Sequence, residues 1–160
     1  MTSDVQAAQQ FAPQQEFDEN IQAARWANLL SQYSGRKSDE QLAQSAMRYL
    51  ATPAVALSRY VAVGGLLLAS DELGRPALHI TVVAAKNDAG ALALFRAGLA
   101  HPTLYKRTEW YDASEGPLPN SDVIYPHFAG AAAFVCTGTT CSRPAFSAPD
   151  FQRRLAKVKN

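Results

Sequence analysis

Two cysteines, Cys136 and Cys141, stand either side of Thr137-Gly138-Thr139-Thr140. Four residues of this kind can turn tightly enough to bring two sulfurs together, since a disulfide requires α-carbons within about 7 Å. The pair can therefore oxidise or bind a soft metal, although zinc ordinarily takes four ligands and only two stand close in sequence. The competing reading makes Cys136 a small core residue ending a strand and Cys141 a turn residue, both reduced in a cytoplasmic setting. A second cluster, Lys86, Asn87 and Asp88, joins an apolar run to a helix start. Free backbone N–H groups there can hold an anion, and Lys86 adds charge. The G-x-G-x-x-G fingerprint is missing, however, and Asp88 as the helix cap would put a carboxylate where the anion should sit. His79, His101 and His127 lack metal-like spacing and read as structural, His101 at a helix end where a cation suits the dipole. Ser114, Ser142 and Asp112 form no nucleophile elbow. Tyr105 to Tyr111 interleaves bases and aromatics in the manner of a single-strand stacking platform. Glu109, Asp112 and Glu115 oppose that use, and the pattern suits a strand with one solvated face.

The elements that must position these residues follow from periodicity. Residues 1–16 hold five Gln and few large apolar groups and read as a loose extension. Trp26, Leu29, Leu30 and Tyr33 share one helix face, and Gly35 stands where a helix stop belongs. Ser38 with Gln41 makes a capping-box pattern for a helix carrying Ala43, Ala46, Met47 and Leu50 on one face. Thr52-Pro53 ends it and starts another, with Pro at the first helical position. Residues 54 to 73 are apolar nearly all round, as in a helix covered on several sides, and Gly74-Arg75-Pro76 closes it.

The period then changes. Residues 78 to 84 are apolar on both alternating sets, which suits a strand buried on both faces. Asp88 can cap a helix over residues 89 to 100 with Leu92, Phe95 and Leu99 inward, before a strand over 103 to 110. That strand–helix–strand unit suits parallel pairing. Residues 112 to 130, rich in Pro and Gly, form a long irregular loop, and such loops are often functional. Residues 131 to 136 make a short buried strand. Phe151, Leu155 and Val158 mark a last helix capped by Ser147 or Asp150. The fold expected is mixed α/β: a tail (1–16), a helical hairpin region (17–75), and a small three-layer α/β unit (76–160) with a mainly parallel sheet.

Bulk properties narrow the function classes. The chain has 160 residues, 48% of them hydrophobic, which is enough for a core. A net charge of +1 does not indicate nucleic acid. The longest uncharged apolar stretch, Val61 to Ser70, falls well short of the roughly 20 residues that span a bilayer. MTSDVQAAQQ lacks the basic and apolar regions of a secretory signal. A cytoplasmic protein with no membrane partner is therefore expected.

Three stretches carry a resemblance. HITVVAAKNDAGALALFRAGLA, then YPHFAGAAAFVCTGTTCSRPAF with Cys136, Cys141 and Pro144, and the helical ENIQAARWANLLSQYSGRKSDEQLAQSAMRYLATP resemble the C-terminal end of a thioredoxin-domain family related to spermatogenesis-associated protein 20. The likeness runs from about Phe17 to Lys157. That family joins a thioredoxin-like domain with a Cys-x-x-Cys-type site to a six-hairpin α/α toroid like those of glycosidases and sugar epimerases. The resemblance implies that residues 17–75 are the last hairpins of such a toroid, in a truncated or split member. No Cys-x-x-Cys exists in this chain, so the family's redox site maps onto no position, and no acidic pair matches the toroid's sugar chemistry. The function expected is a structural or interaction module without catalysis, cofactor or metal. It would self-associate or bind a separately encoded thioredoxin/toroid portion through an apolar face that includes Trp26, Leu29, Leu67 and Leu68. Two alternatives stand beside it: a small thiol–disulfide oxidoreductase or redox sensor using Cys136 and Cys141, and a sugar- or nucleotide-binding module at the strand ends beside Ala85 and Cys136.

Overall fold

The computed structural model describes residues 16–58, 63–138 and 140–158. Apart from Glu16, the extension expected over residues 1–16 lies outside them. The helical half consists of α1 (Phe17–Ser34), α2 (Lys37–Leu50), α3 (Pro53–Leu57) and α4 (Gly64–Leu73). The helix α1 ends where Gly35 adopts φ +67° and its N–H reaches the Ser31 carbonyl at 2.9 Å, the left-handed stop its position predicts. Arg36, in extended conformation, leads straight into α2, so the expected Ser38–Gln41 capping box does not form and Ser38 lies inside the helix. Ser34 takes over part of the capping work: its hydroxyl accepts from the Arg36 N–H and donates to Asp39 at 2.6 Å. Pro53 opens α3 as expected. The continuous helix expected over 54 to 73 is instead the short α3 and the separate α4, with residues 59–62 between them outside the described set.

The second half runs β1 (Leu78–Val83), α5 (Ala89–Leu99), β2 (Lys106–Tyr111), a 3-10 turn (Ala113–Glu115), β3 (Ala132–Thr137), β4 (Thr140–Cys141) and α6 (Ala148–Leu155). The sheet order is β2-β1-β3-β4. β1 and β2 pair in parallel, as the intervening helix requires, but β1–β3 and β3–β4 are antiparallel. The sheet is thus mixed rather than mainly parallel. No helical crossover separates β2 from β3. The irregular segment 112–131 folds back across the sheet and delivers β3 to the other side of β1 in the opposite sense.

All six residues of β1 are buried, which its two apolar faces predict. On one face Leu78, Ile80 and Val82 pack with Leu94 of α5 and with Phe151 and Leu155 of α6. Of the inward set expected on α5, Phe95 packs against this core and Trp110 but Leu92 and Leu99 are exposed, while Ala91, Leu94, Ala97 and Gly98 face the sheet. Small residues let the helix approach closely, and a Cβ on Gly98 would stand 2.9 Å from Ile80 Cγ2. On the other face, among the described residues, no helical layer completes a three-layer sandwich. Val123, Tyr125 and Phe128, from the long loop, cover Val83, Phe134 and Cys136 instead.

The helices form their own small core around Phe17, Ile21, Leu50 and Ala69. They meet the α/β unit through polar contacts: Asn28 donates to the Tyr105 hydroxyl and Tyr33 accepts from the Thr108 N–H. Between α1 and α4, Arg25 pairs with buried Glu72 at 2.7 Å and Asn28 donates to the Glu72 carbonyl. The face of α1 that carries Trp26 points outward, with Trp26 63% exposed, and the buried face is Phe17, Ile21, Ala24, Ala27, Asn28 and Ser31.

Candidate functional site

Strand periodicity puts His79, Thr81 and Val83 of β1 on the loop-covered face together with Arg107, Glu109 and Tyr111 of β2. Register then aligns Arg107, His79, Cys136 and Cys141 as directly paired neighbours in one row across all four strands. Directly paired residues share a face, so the two bases and the two sulfurs belong to one surface. That row borders a pocket of about 550 Å³, whose walls include Gln32, His79, Arg107, Asp122, Ile124 and Cys141.

Arg107 is the centre of the polar network. It is 1% exposed, the largest fully buried side chain among the described residues. Its Nη2 stands 2.6 Å from Asp122 Oδ1 and 2.7 Å from His79 Nδ1, and Nη1 donates to the Gln32 carbonyl at the end of α1. Nε lies 3.1 Å from Glu109 Oε2 but is not aligned for a hydrogen bond, so that contact is ionic only. His79 Nε2 stands 2.7 Å from Glu109 Oε2 and 2.7 Å from Thr81 Oγ1. A neutral ring with its proton on Nε2 satisfies both flanks: Nε2–H donates to Glu109, and Nδ1 accepts from Arg107. Thr81 continues the chain to the Tyr125 hydroxyl at 2.8 Å. Burial raises the Tyr125 phenol to about 12, against a smaller lowering by its bond to Thr81.

Cys136 and Cys141 are joined by a disulfide. Cys141 is a strand residue, not a turn residue, and the sulfurs are bonded, not reduced thiols. The reason is local. Gly138, at φ +57°, supports the tight turn between β3 and β4, and the turn pairs Thr137 with Thr140 and so Cys136 with Cys141. Cys136 is fully buried, whereas Cys141 is partly exposed at the pocket wall.

The second candidate cluster is self-satisfied. Asp88 caps α5, its carboxylate accepting from the Ala91 N–H at 3.0 Å. The Lys86 N–H donates to Asp112 at 2.8 Å, and its ammonium reaches the Trp110 carbonyl and Glu115. Asp112 also accepts from the Ser114 hydroxyl and N–H, which with the Lys86 N–H hold its carboxyl below the usual range. The loop that contains Lys86, Asn87 and Asp88 therefore meets carboxylates of its own chain. Ala85, just beyond the C-terminal end of β1, and Cys136, paired near its N-terminal end, lie at opposite ends of the sheet because β3 is antiparallel. They do not form one site.

The Arg107–Glu109 face is buried, not solvated as its polarity suggests, because the long loop and the end of α1 cover it. Polar alternation at His79/Thr81 and Arg107/Glu109, in phase on two adjacent strands, is the signal that marks it in the sequence. Among the described residues, no group of three or more His, Cys, Asp or Glu is placed to hold a metal ion, and no helix is long and apolar enough to cross a membrane. Comparison with family models, curated proteins and solved structures finds no match for this chain.

Proposed function

We propose that this chain is a structural and interaction module whose helical side docks onto further α-helices supplied by another chain, as the last hairpins of an α/α toroid would. The supporting observation is Trp26, 63% exposed on a helix whose other face is buried. Around it Leu29 and the 82%-exposed Leu104 border a shallow depression floored by the Arg25–Glu72 pair, and α4 adds Leu67 and Leu68, 64% and 40% exposed. Covering a large apolar side chain contributes roughly 1.5–3 kcal/mol, so several together suffice to hold a partner helix. The likeness to a thioredoxin/six-hairpin protein supplies the kind of partner: a separately encoded thioredoxin/toroid portion, with self-association where that is missing.

Sedimentation velocity with and without Trp26→Glu and Leu67→Glu tests the reading. The wild type is expected to associate or to bind a surface-sensitive dye, and both variants to suppress that without loss of helicity. A wild-type monomer that binds no dye refutes it, since large exposed apolar patches are unusual in monomers.

A further inference from the structure

We infer that the Cys136–Cys141 disulfide is an exchange site for low-molecular-weight thiols, with Cys141 as the sulfur attacked and Cys136 as the sulfur that leaves. This goes beyond the docking role and does not rest on it.

The two sulfurs differ in access. Cys136 is 0% exposed on an inner strand, between β1 and β4. Cys141 lies on the edge strand, is partly exposed and lines the pocket of about 550 Å³, which is large enough for a small thiol. A thiolate attacks a disulfide sulfur from the side opposite the leaving sulfur. For Cys141 that side is the open edge of the sheet, whereas for Cys136 it is the occupied row next to His79.

His79 is the direct cross-strand partner of Cys136 on the same face. Its ring is held by Arg107 on Nδ1 and by Glu109 on Nε2, so it stays fixed in that row beside Cys136. In the forward step a small thiolate bonds to Cys141 Sγ and the Cys136–Cys141 bond breaks. The electron pair leaves on Cys136 Sγ as a thiolate, which takes its proton from solvent water. A second thiolate then attacks the small-molecule sulfur of the mixed disulfide, and Cys141 leaves as a thiolate protonated by solvent. The sum is one protein disulfide reduced to two thiols and two small thiols oxidised to their disulfide. The guanidinium of Arg107 is already matched by Glu109 and Asp122, so the pocket favours a thiol of low net charge.

The test uses the whole oxidised chain and 2-mercaptoethanol. The reaction is quenched with iodoacetamide and the adducts are mapped by mass spectrometry. The expected trapped species carries mercaptoethanol on Cys141 and alkylation on Cys136, at a rate unchanged by urea below the unfolding transition. Equal adducts on both cysteines, opening that tracks the unfolded fraction, or two freely alkylated thiols in oxidising buffer each overturn the inference. Adduct position and urea dependence are both read on the wild type, so no variant has to fold for them to decide the matter.

Discussion

Replacing Arg107 by Met keeps most of the side-chain volume and removes the charge at the centre of the buried network. Four groups lose a partner: Asp122, Glu109, His79 and the Gln32 carbonyl. Asp122 is half-exposed and can turn to water, so its share is small. Glu109 is the costly one, since its carboxylate stays buried with only His79 beside it. Breaking a buried ion pair from one side costs about 3–5 kcal/mol, mainly through the charge left behind. Against a stability of about 5–15 kcal/mol for a domain, the loss is large but survivable. At about 1–3 kcal/mol/M for urea, the midpoint should fall by about 2 M. Adding Glu109→Gln to Arg107→Met removes the orphaned charge and should restore part of that loss, although Glu109→Gln alone destabilises. Urea titration of the four proteins, followed by far-UV circular dichroism, measures the coupling. An Arg107→Met cost below about 1 kcal/mol, or no recovery in the double variant, would refute the description of this face as buried and charge-balanced.

Three further outcomes follow from the same packing. Replacing both Cys136 and Cys141 by Ser frees the short loop closed by their bond (sequence separation 5) and should cost about 2 kcal/mol by thermal or urea unfolding, a cost that reductant reproduces in the wild type. Gly98→Ala should destabilise by about 1–2 kcal/mol despite its better helix propensity, because the new methyl meets Ile80 Cγ2 at 2.9 Å; a gain in melting temperature would show that α5 can back away from β1. Tyr125, raised to about 12 chiefly by burial, keeps its proton more firmly when folded than when unfolded, so its contribution is full below pH 10 and vanishes as pH climbs from 10 to 12. After allowance for partial exposure this is worth about 1–2 kcal/mol, and a 295 nm titration in which Tyr125→Phe removes no late-ionising tyrosine would contradict it.

What could be read from the residues alone depended on which force fixes each feature. β1 was legible because a strand buried on both faces must be apolar at every position but those with partners, and Asp88 and Gly35 were legible because caps and left-handed stops act locally. The buried helix faces were not. Reading large side chains as inward favoured Leu92 and Leu99, whereas the contact faces of α1 and α5 are built largely from Ala24, Ala27, Ala91, Ala97 and Gly98, residues that permit close approach and carry little hydrophobic signal. Strand direction was illegible for another reason. A helix between β1 and β2 constrains their sense, but the irregular chain between β2 and β3 can return either way, and only its packing on Phe134 and Val83 settles the matter.

The polar face escaped for a reason that links fold to chemistry. Each of its members has an ordinary explanation when taken singly: His79 as a structural histidine, Arg107 and Glu109 as a solvated edge, Cys136 as a core residue. The antiparallel placement of β3 turns them into one row, since it puts the disulfide beside His79 and moves it away from Ala85. A parallel β3 would have reversed that order and left the imidazole without a sulfur neighbour. The feature hardest to foresee, the direction of one strand, therefore decides which polar side chains border the disulfide.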